Sequence, residues 1–445
     1  MNTPPASSIL KSLYSHYSRY EQRLPLKDFT SMFDALPTAN ENASEPVHRW
    51  FHYKESFSYR LLDVVLRFFP QNSQIRFLDP FCGVGTSLVA AQTSNLSTLF
   101  SKVVGIERNP FIHFVSRTKS RWMYYDVEDF SKTWRRAVAW DLKPFVGELP
   151  ALSTIRDPRV FTDNTVRMIL SYREAIKERI GSINCRDLML LGLAAAIETV
   201  SGVRKDGRAL RFKESKKHNG LGQELTTIYS QFEEDLRFLQ RKQVSTPPTT
   251  VACGDGRFGS KMFGREKFDL ILYSPPYLNN IDYSEVYKLE LWLLGFIKSS
   301  EDFRKLRLST FKSHPSCKFP MRGSLTAITN GEYTKLISPL KSFWSLQQDK
   351  LRARIVEGYC EDVLDSLRDQ RKLLSEDGRI TIIVGNSVYG GPGSECVIAT
   401  DLLICALAEE VGLTVDSLYK CRTLQRRRIE NPSLRESVIV LRLGK

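Results

Sequence analysis

This sequence predicts an α/β fold built on one doubly wound sheet, and three observations predict it. Short apolar runs that suit buried parallel strands recur at 75–78, 103–106, 249–252, 268–273 and 379–384, with helical patterns between several of them. Two of these runs open into loops of unusual chemistry, Asp79-Pro80-Phe81-Cys82-Gly83-Val84-Gly85-Thr86 and Ser274-Pro275-Pro276-Tyr277. Near the end, two further strand-like runs, 413–418 and 437–443, flank the basic turn region 422–432, as an antiparallel closing pair would. Strands that alternate with helices imply right-handed crossovers between parallel neighbours.

Taken in order, residues 1–45 form an N-terminal extension in which 1–8 and 37–46 read as flexible. The aromatic-rich segment His48 to Ser58 leads into a helix over 59–69. The first run, 75–78, carries the Gly-rich turn and then a helix over 87–92. The second run ends in Val104-Gly105-Ile106-Glu107. An insertion over 119–248, helical at 165–180, 186–200 and 226–241, separates it from the third run, which ends in Cys253-Gly254-Asp255-Gly256. The fourth run carries the Pro-Pro loop, and a helical pattern with Tyr287, Leu291 and Trp292 follows. A second insertion spans 298–351. A helix over 362–374 then leads into the strand at 379–384, whose loop Val384-Gly385-Asn386-Ser387 precedes a helix beginning near Thr400. The catalytic domain is thus expected over 46–118, 249–297 and 352–445, with ligands at the strand ends where the insertions also emerge.

Composition bounds the function. The 445 residues exceed a usual single domain, and 42% hydrophobic with 26% charged residues is ordinary for a globular protein with a real core. The 64 Lys+Arg against 50 Asp+Glu give +14, which favours a polyanionic partner. The 8 cysteines are scattered, without a Cys-x-x-Cys pair or a Cys/His cluster at metal spacing, so reduced thiols are expected and no metal site. No apolar run approaches membrane-spanning length and the first residues lack a signal-type apolar centre, so a cytoplasmic protein without a membrane partner is expected.

Each loop has a physical reading. Gly83 and Gly85 can take positive φ and lack a Cβ, so backbone can approach a ligand closely. Glu107, at the next strand end, can accept hydrogen bonds from both hydroxyls of a ribose. In Ser274-Pro275-Pro276-Tyr277, two prolines fix the turn, and the Ser274 hydroxyl and Pro275 carbonyl are acceptors for a planar amino group while Tyr277 offers a stacking face.

These residues resemble the first and fourth motifs of the amino-group DNA methyltransferases, which use S-adenosylmethionine and methylate cytosine N4 or adenine N6. The resemblance covers 48–110, 249–295 and 362–445. It implies a Rossmann-like methyltransferase sheet with an antiparallel C-terminal strand pair and a mainly helical insertion. It further implies that Tyr53, Asp79, Phe81, Gly83, Gly85, Thr86, Glu107 and Asp255 hold the cofactor, with the segment around Tyr53 across its methionine end and Asp255 on the adenine amino group. Ser274, Pro275, Pro276 and Tyr277 would be catalytic. Asp282, Tyr283 and Asn386 would line the target-base pocket. Such an amino group is a poor nucleophile because its lone pair is delocalised, so acceptors on both N–H bonds are needed and the base must leave the duplex. Carbon-5 methylation needs a cysteine nucleophile in this loop, and no Pro-Cys dipeptide occurs in the chain.

Ser at the first motif position resembles the cytosine-N4 subgroup of this family, whereas Asp or Asn is commoner among adenine-N6 enzymes, so the resemblance implies cytosine N4 over adenine N6. Double-stranded DNA is the expected partner, in a bacterial or phage restriction-modification, defence or epigenetic system with cognate restriction or defence proteins. RNA as substrate is one alternative, and a non-catalytic cofactor sensor that binds nucleic acid is another. In the familiar subclasses the recognition region lies elsewhere along the chain, so both insertions are candidates here. Basic residues crowd 202–220 and 298–322, and Arg204, Lys205, Arg208, Arg211, Lys213, Arg304, Lys305 and Arg307 are the expected DNA contacts, with Arg422, Arg426, Arg427 and Arg428 as a third cluster.

Overall fold

Phe77, Leu78, Leu270, Ile271 and Leu272 are fully buried, as strands covered on both faces must be, and they form the centre of an eight-stranded sheet. The computed structural model describes residues 6–33, 35–67, 74–207, 209–213, 220–243, 245–390, 395–424 and 431–444. Its strands are β1 (Leu26–Asp28), β2 (Ile75–Asp79), β3 (Phe100–Glu107), β4 (Val203–Asp206), β5 (Ala209–Phe212), β6 (Thr249–Cys253), β7 (Phe268–Tyr273), β8 (Leu374–Gly385), β9 (Ser387–Tyr389), β10 (Cys396–Ile398), β11 (Leu413–Thr423) and β12 (Arg435–Leu443). The main sheet has the order β1-β11-β12-β8-β7-β2-β3-β6, and β4–β5 and β9–β10 are separate antiparallel pairs.

From β6 to β8 neighbours are parallel, while β12 runs antiparallel to both β8 and β11. This is the expected doubly wound sheet with its closing antiparallel pair. Phe77, Leu270 and Leu272 face the helices Leu61–Leu66 and Thr86–Thr93. Leu78, Ile271 and Tyr273 face the opposite layer, which holds Lys350–Leu373 and Thr400–Glu410. The chain leaves β2 toward β3 and β7 toward β8, so its order reverses between two adjacent strands, and the crevice at their C-terminal ends is where such sheets bind ligands.

The insertion helices Val127–Val138, Asp163–Arg179, Ile183–Thr199 and Leu221–Arg241 share one apolar core with Trp50, Phe51, Phe111 and Val115. They extend the flank beside β3 rather than hanging from it. The N-terminal extension is more engaged than its composition suggests. Helix Ala6–Glu21 packs Leu13, Tyr17 and Tyr20 into the core beneath Glu332–Leu346, and β1 adds a parallel strand to the edge at β11. Segment 37–46, expected to be flexible, is instead tied down: Asn42 Nδ2 donates to the Phe57 carbonyl at 2.8 Å, and its Oδ1 accepts from Tyr59 N at 2.9 Å. Those long-range partners are invisible to local composition. No described helix is long and apolar enough to cross a membrane.

Candidate active site

A cleft of about 550 Å³ opens at the C-terminal ends of β2, β3, β6 and β7, within the usual range for small-molecule sites, roughly 300–1,000 Å³. Both sequence motifs line it, as do Tyr53, Phe81, Gly83, Thr86, Glu107, Asp255, Ser274, Pro275, Pro276, Tyr277 and Tyr283.

In one half, backbone conformation makes the turn. Gly83 has φ +51° and Gly85 has φ +80°, and a Cβ on Gly85 would lie 3.1 Å from Ser116 Cβ, so neither position suits another residue. Gly85 caps helix Thr86–Thr93 behind the cleft wall rather than lining it. Asp79 is also displaced from its expected role as a ligand contact. It is buried beneath the loop, accepts from Ser87 Oγ and from Phe81 N (3.0 Å), and so shapes the turn. The Tyr53 ring stacks on Tyr287, with centroids 5.2 Å apart and planes at 17°, and the Tyr287 hydroxyl donates to Glu55 Oε2 at 2.9 Å. Thr86 Oγ1 and Ser56 Oγ lie 2.7 Å apart.

Glu107 faces the cleft from the end of β3 and accepts from Asn109 N at 2.7 Å, while burial pushes its carboxyl up to about 7. Asp255 reaches the wall as expected, but Arg257 claims its carboxylate with bonds of 2.9 Å and 2.7 Å. That ion pair holds it below the ordinary carboxylate range against the cost of burial. These residues fit S-adenosylmethionine: a left-handed glycine turn without side chains to block approach, a cleft-facing acid with lone pairs to spare, and aromatic faces on the floor.

In the other half, Tyr277 is held from two sides. Its hydroxyl donates to Glu436 Oε1 at 2.8 Å, and Arg422 Nε donates to Glu436 Oε2 at 2.6 Å. Its ring lies against Gly385, where a Cβ would come within 3.0 Å of Tyr277 Cε2. Burial drives the phenol well above its usual range, so it stays a neutral donor. Glu436 went unnoticed in the sequence, and Gly385 was read only as part of the strand-end loop after β8, because β12 and β8 reach Tyr277 only through the sheet.

Two expected base-pocket residues are placed otherwise. Asp282 is 3% exposed and caps helix Tyr283–Val286, accepting from Ser284 N at 3.1 Å and from Arg307 Nε at 3.0 Å. Asn386 is 1% exposed, with its amide on Asp401 Oδ1 and the Ser433 carbonyl, both at 2.7 Å. Each is spent on local structure, as short polar side chains at strand and helix ends commonly are. The second insertion supplies cleft-lining residues instead, Ser309, Thr310, Phe311, Ser313 and His314; the Ser309 carbonyl accepts from Arg257 at 2.9 Å, and the Phe311 ring packs edge-on against Phe81.

The expected DNA contacts divide sharply. Lys205 is buried, ion-paired to Glu290, with its Nζ 4.7 Å from the Tyr287 ring centroid. Lys213 donates to the carbonyls of Glu198 (2.7 Å) and Ser201 (3.0 Å) at the end of helix Ile183–Thr199. Arg307 pairs with Asp282 and Glu285. Ion pairing to nearby acids (Lys205 and Arg307) and bonds to helix-end carbonyls (Lys213) have turned these three into structural groups. Arg204 is exposed, and Arg211, Arg304 and Lys305 keep 68%, 69% and 70% of their side-chain surface in solvent. Arg208, Arg426, Arg427 and Arg428 lie outside the described residues.

Comparison with known proteins adds relatives along nearly the whole chain. It is 24% identical over 434 residues to the Type II methyltransferase M.AvaI of Nostoc sp. (strain PCC 7120 / SAG 25.82 / UTEX 2576), covering 90% of this chain and 85% of the relative. It is 23% identical over 436 residues to the Type II methyltransferase M.BsoBI of Geobacillus stearothermophilus, covering 88% and 83%. No family model matches. Among solved structures, an rRNA methyltransferase aviRa from Streptomyces viridochromogenes spans 91% of this chain and 92% of its own at 10% identity, with a TM-score of 0.30, too low to bear on fold or substrate.

Proposed function

We propose that this chain, a methyltransferase homologous to the Type II enzymes M.AvaI and M.BsoBI, methylates the exocyclic amino group of a base in double-stranded DNA, with cytosine N4 the favoured target. The observation that carries the reading is the single cleft that joins the glycine turn and Glu107 to Ser274-Pro275-Pro276-Tyr277. S-adenosylmethionine, bound there, supplies an electrophilic methyl group on a sulfonium.

The chain's own residues do the rest. Glu107 accepts the ribose hydroxyls, and Tyr53, stacked on Tyr287, bounds the methionine end. Asp255, committed to Arg257, borders the cleft as a fixed charge. Ser274 Oγ and the Pro275 carbonyl accept the two N–H bonds of the amino group, which frees its lone pair to turn toward the methyl; as the N–C bond forms, the C–S bond breaks to leave a neutral thioether, and the surplus proton on nitrogen passes to water. Tyr277, fixed by Glu436 and Gly385, presents its ring to a base turned out of the duplex. These groups gain rate through orientation and preorganised electrostatics, not through a covalent base adduct.

The two insertions, 119–248 and 298–351, are proposed as the DNA-facing regions, since hairpin β4–β5 and the 309–314 wall both border the cleft at Gly207 and Ser313. A cytoplasmic restriction-modification setting, with a cognate nuclease as partner, agrees with the Type II relatives. Digestion of DNA incubated with enzyme and cofactor, followed by mass spectrometry of nucleosides, tests the assignment. N4-methylcytosine is the expected product; N6-methyladenine alone would replace the target base, and modification of RNA alone would replace the substrate.

A further inference from the structure

We infer that Ser313, on the second insertion, donates a hydrogen bond to the ring nitrogen next to the target amino group, N3 of cytosine or N1 of adenine. The inference rests on the proposed base-amino methylation. Its starting observation is an unmet bond. Ser313 lines the cleft beside the Pro-Pro loop and is 1% exposed, yet its Oγ has no partner among the described residues. A buried hydroxyl left unpaired is costly, so one on a residue that lines a ligand cleft is a group held ready for a ligand atom.

Everything around that hydroxyl is already satisfied and fixed. Ser313 N donates to the Phe311 carbonyl at 2.8 Å, and its own carbonyl accepts from Asn280 N at 3.2 Å. Asn280 sits three residues beyond Tyr277, holds a left-handed φ of 66°, and accepts from the Tyr389 hydroxyl at 3.0 Å. Segment 310–314 is therefore stitched to the loop that holds the amino group. On one side, Lys312 N donates to Asp362 Oδ2 at 2.7 Å and its ammonium pairs with Glu361. On the other, His314 Nδ1 accepts from Ser316 N at 3.3 Å, so Nε2 carries the proton toward Thr310 Oγ1, also at 3.3 Å. Both His314 nitrogens are used within the segment. Of this wall's polar side chains, the Ser313 hydroxyl is the one left to meet a base.

The chemistry suits that place. Cytosine N3 and adenine N1 are unprotonated acceptors beside the amino carbon, whereas thymine N3 and guanine N1, at the corresponding ring position beside a carbonyl, carry N–H. A positioned hydroxyl donor presents the amino group squarely to Ser274 and the Pro275 carbonyl, and it serves either target base.

The test uses duplexes that carry the target site, found first by sequencing DNA methylated by the wild-type enzyme, with the target replaced by its deaza analogue (3-deazacytosine or 1-deazaadenine). Wild type should lose about 10-fold or more in kcat/KM on the analogue. Ser313→Ala should lose a similar factor on the natural base but lose nothing further on the analogue. Ser313→Thr, which keeps a hydroxyl, should restore sensitivity to the analogue, and cofactor affinity should stay constant throughout. An equal analogue penalty in wild type and Ser313→Ala would overturn the inference while leaving the methyltransferase reading intact. Failure of the wild type to methylate any DNA would overturn the parent reading and the inference with it.

Discussion

The two halves of the cleft are built on different plans. The half proposed for the cofactor rests mainly on contiguous strand ends, the turn after β2, Glu107 closing β3 and Asp255 after β6, with Tyr53 stacked on Tyr287 beside them. The half proposed for the base is assembled from remote pieces, with the loop after β7 held by Glu436 from β12, Gly385 from β8 and Ser313 from an insertion. A site made from strand ends is specified by local sequence and backbone geometry. A site made from remote pieces depends on the completed fold, and there substitution at a distance can alter chemistry without touching the cofactor.

The sharpest way to break this division is to substitute the two halves separately. Ser274→Ala removes one amino-group acceptor and Tyr277→Ala the stacking face, and each should lower single-turnover methylation by about 10²-fold or more. Cofactor affinity, measured by calorimetry, should barely move. Intact turnover in Ser274→Ala would refute the clamp.

Glu107 carries the reciprocal test. Glu107→Gln should weaken cofactor binding by about 10-fold or more while turnover at saturating cofactor is retained, since a hydrogen bond to a charged group is worth roughly 1.5–3 kcal/mol. The sign of the pH dependence follows from burial, which holds this carboxyl near about 7. Below that pH the free protein carries a proton that hydroxyl donors must displace, so affinity should fall as pH drops through 7, by up to about tenfold per unit, and level off above it. Calorimetry across pH should show proton release on binding in the wild type and none in Glu107→Gln. A flat profile in the wild type would mean that Glu107 is not a ligand group.

The same division explains what could be read from the sequence. The central strands, the Gly-rich turn, Glu107 and the Pro-Pro loop were legible because apolar runs and glycine or proline chemistry act within a few residues. β1 was not, since three residues pairing with β11 leave no local signature. Nor were Asn386 and Asp282 separable from ligand groups, because a polar residue after a strand caps, pairs or binds according to what the fold brings beside it. Lys205 and Arg307 show the same limit for charge: a run of basic residues does not reveal which of them meet Glu290, Asp282 or Glu285.

Surface charge gives the smallest expected effect, and it separates the basic residues by exposure. Where Lys205, Lys213 and Arg307 are committed within the protein, Arg204, Arg211, Arg304 and Lys305 keep guanidinium or ammonium groups in solvent. Arg211 approaches Asp206 and Arg304 approaches Glu301, but exposed pairs of this kind contribute little and exchange readily for phosphate. Each phosphate contact removed should reduce the slope of log K against log salt by about 0.9. The double variants Arg204→Gln/Arg211→Gln and Arg304→Gln/Lys305→Gln should therefore each flatten the salt dependence of DNA binding by up to about two units, with unchanged cofactor affinity. A change confined to one pair identifies the insertion that carries the duplex. Unchanged slopes in both would assign these residues to solvent and leave the duplex to other surfaces around the cleft.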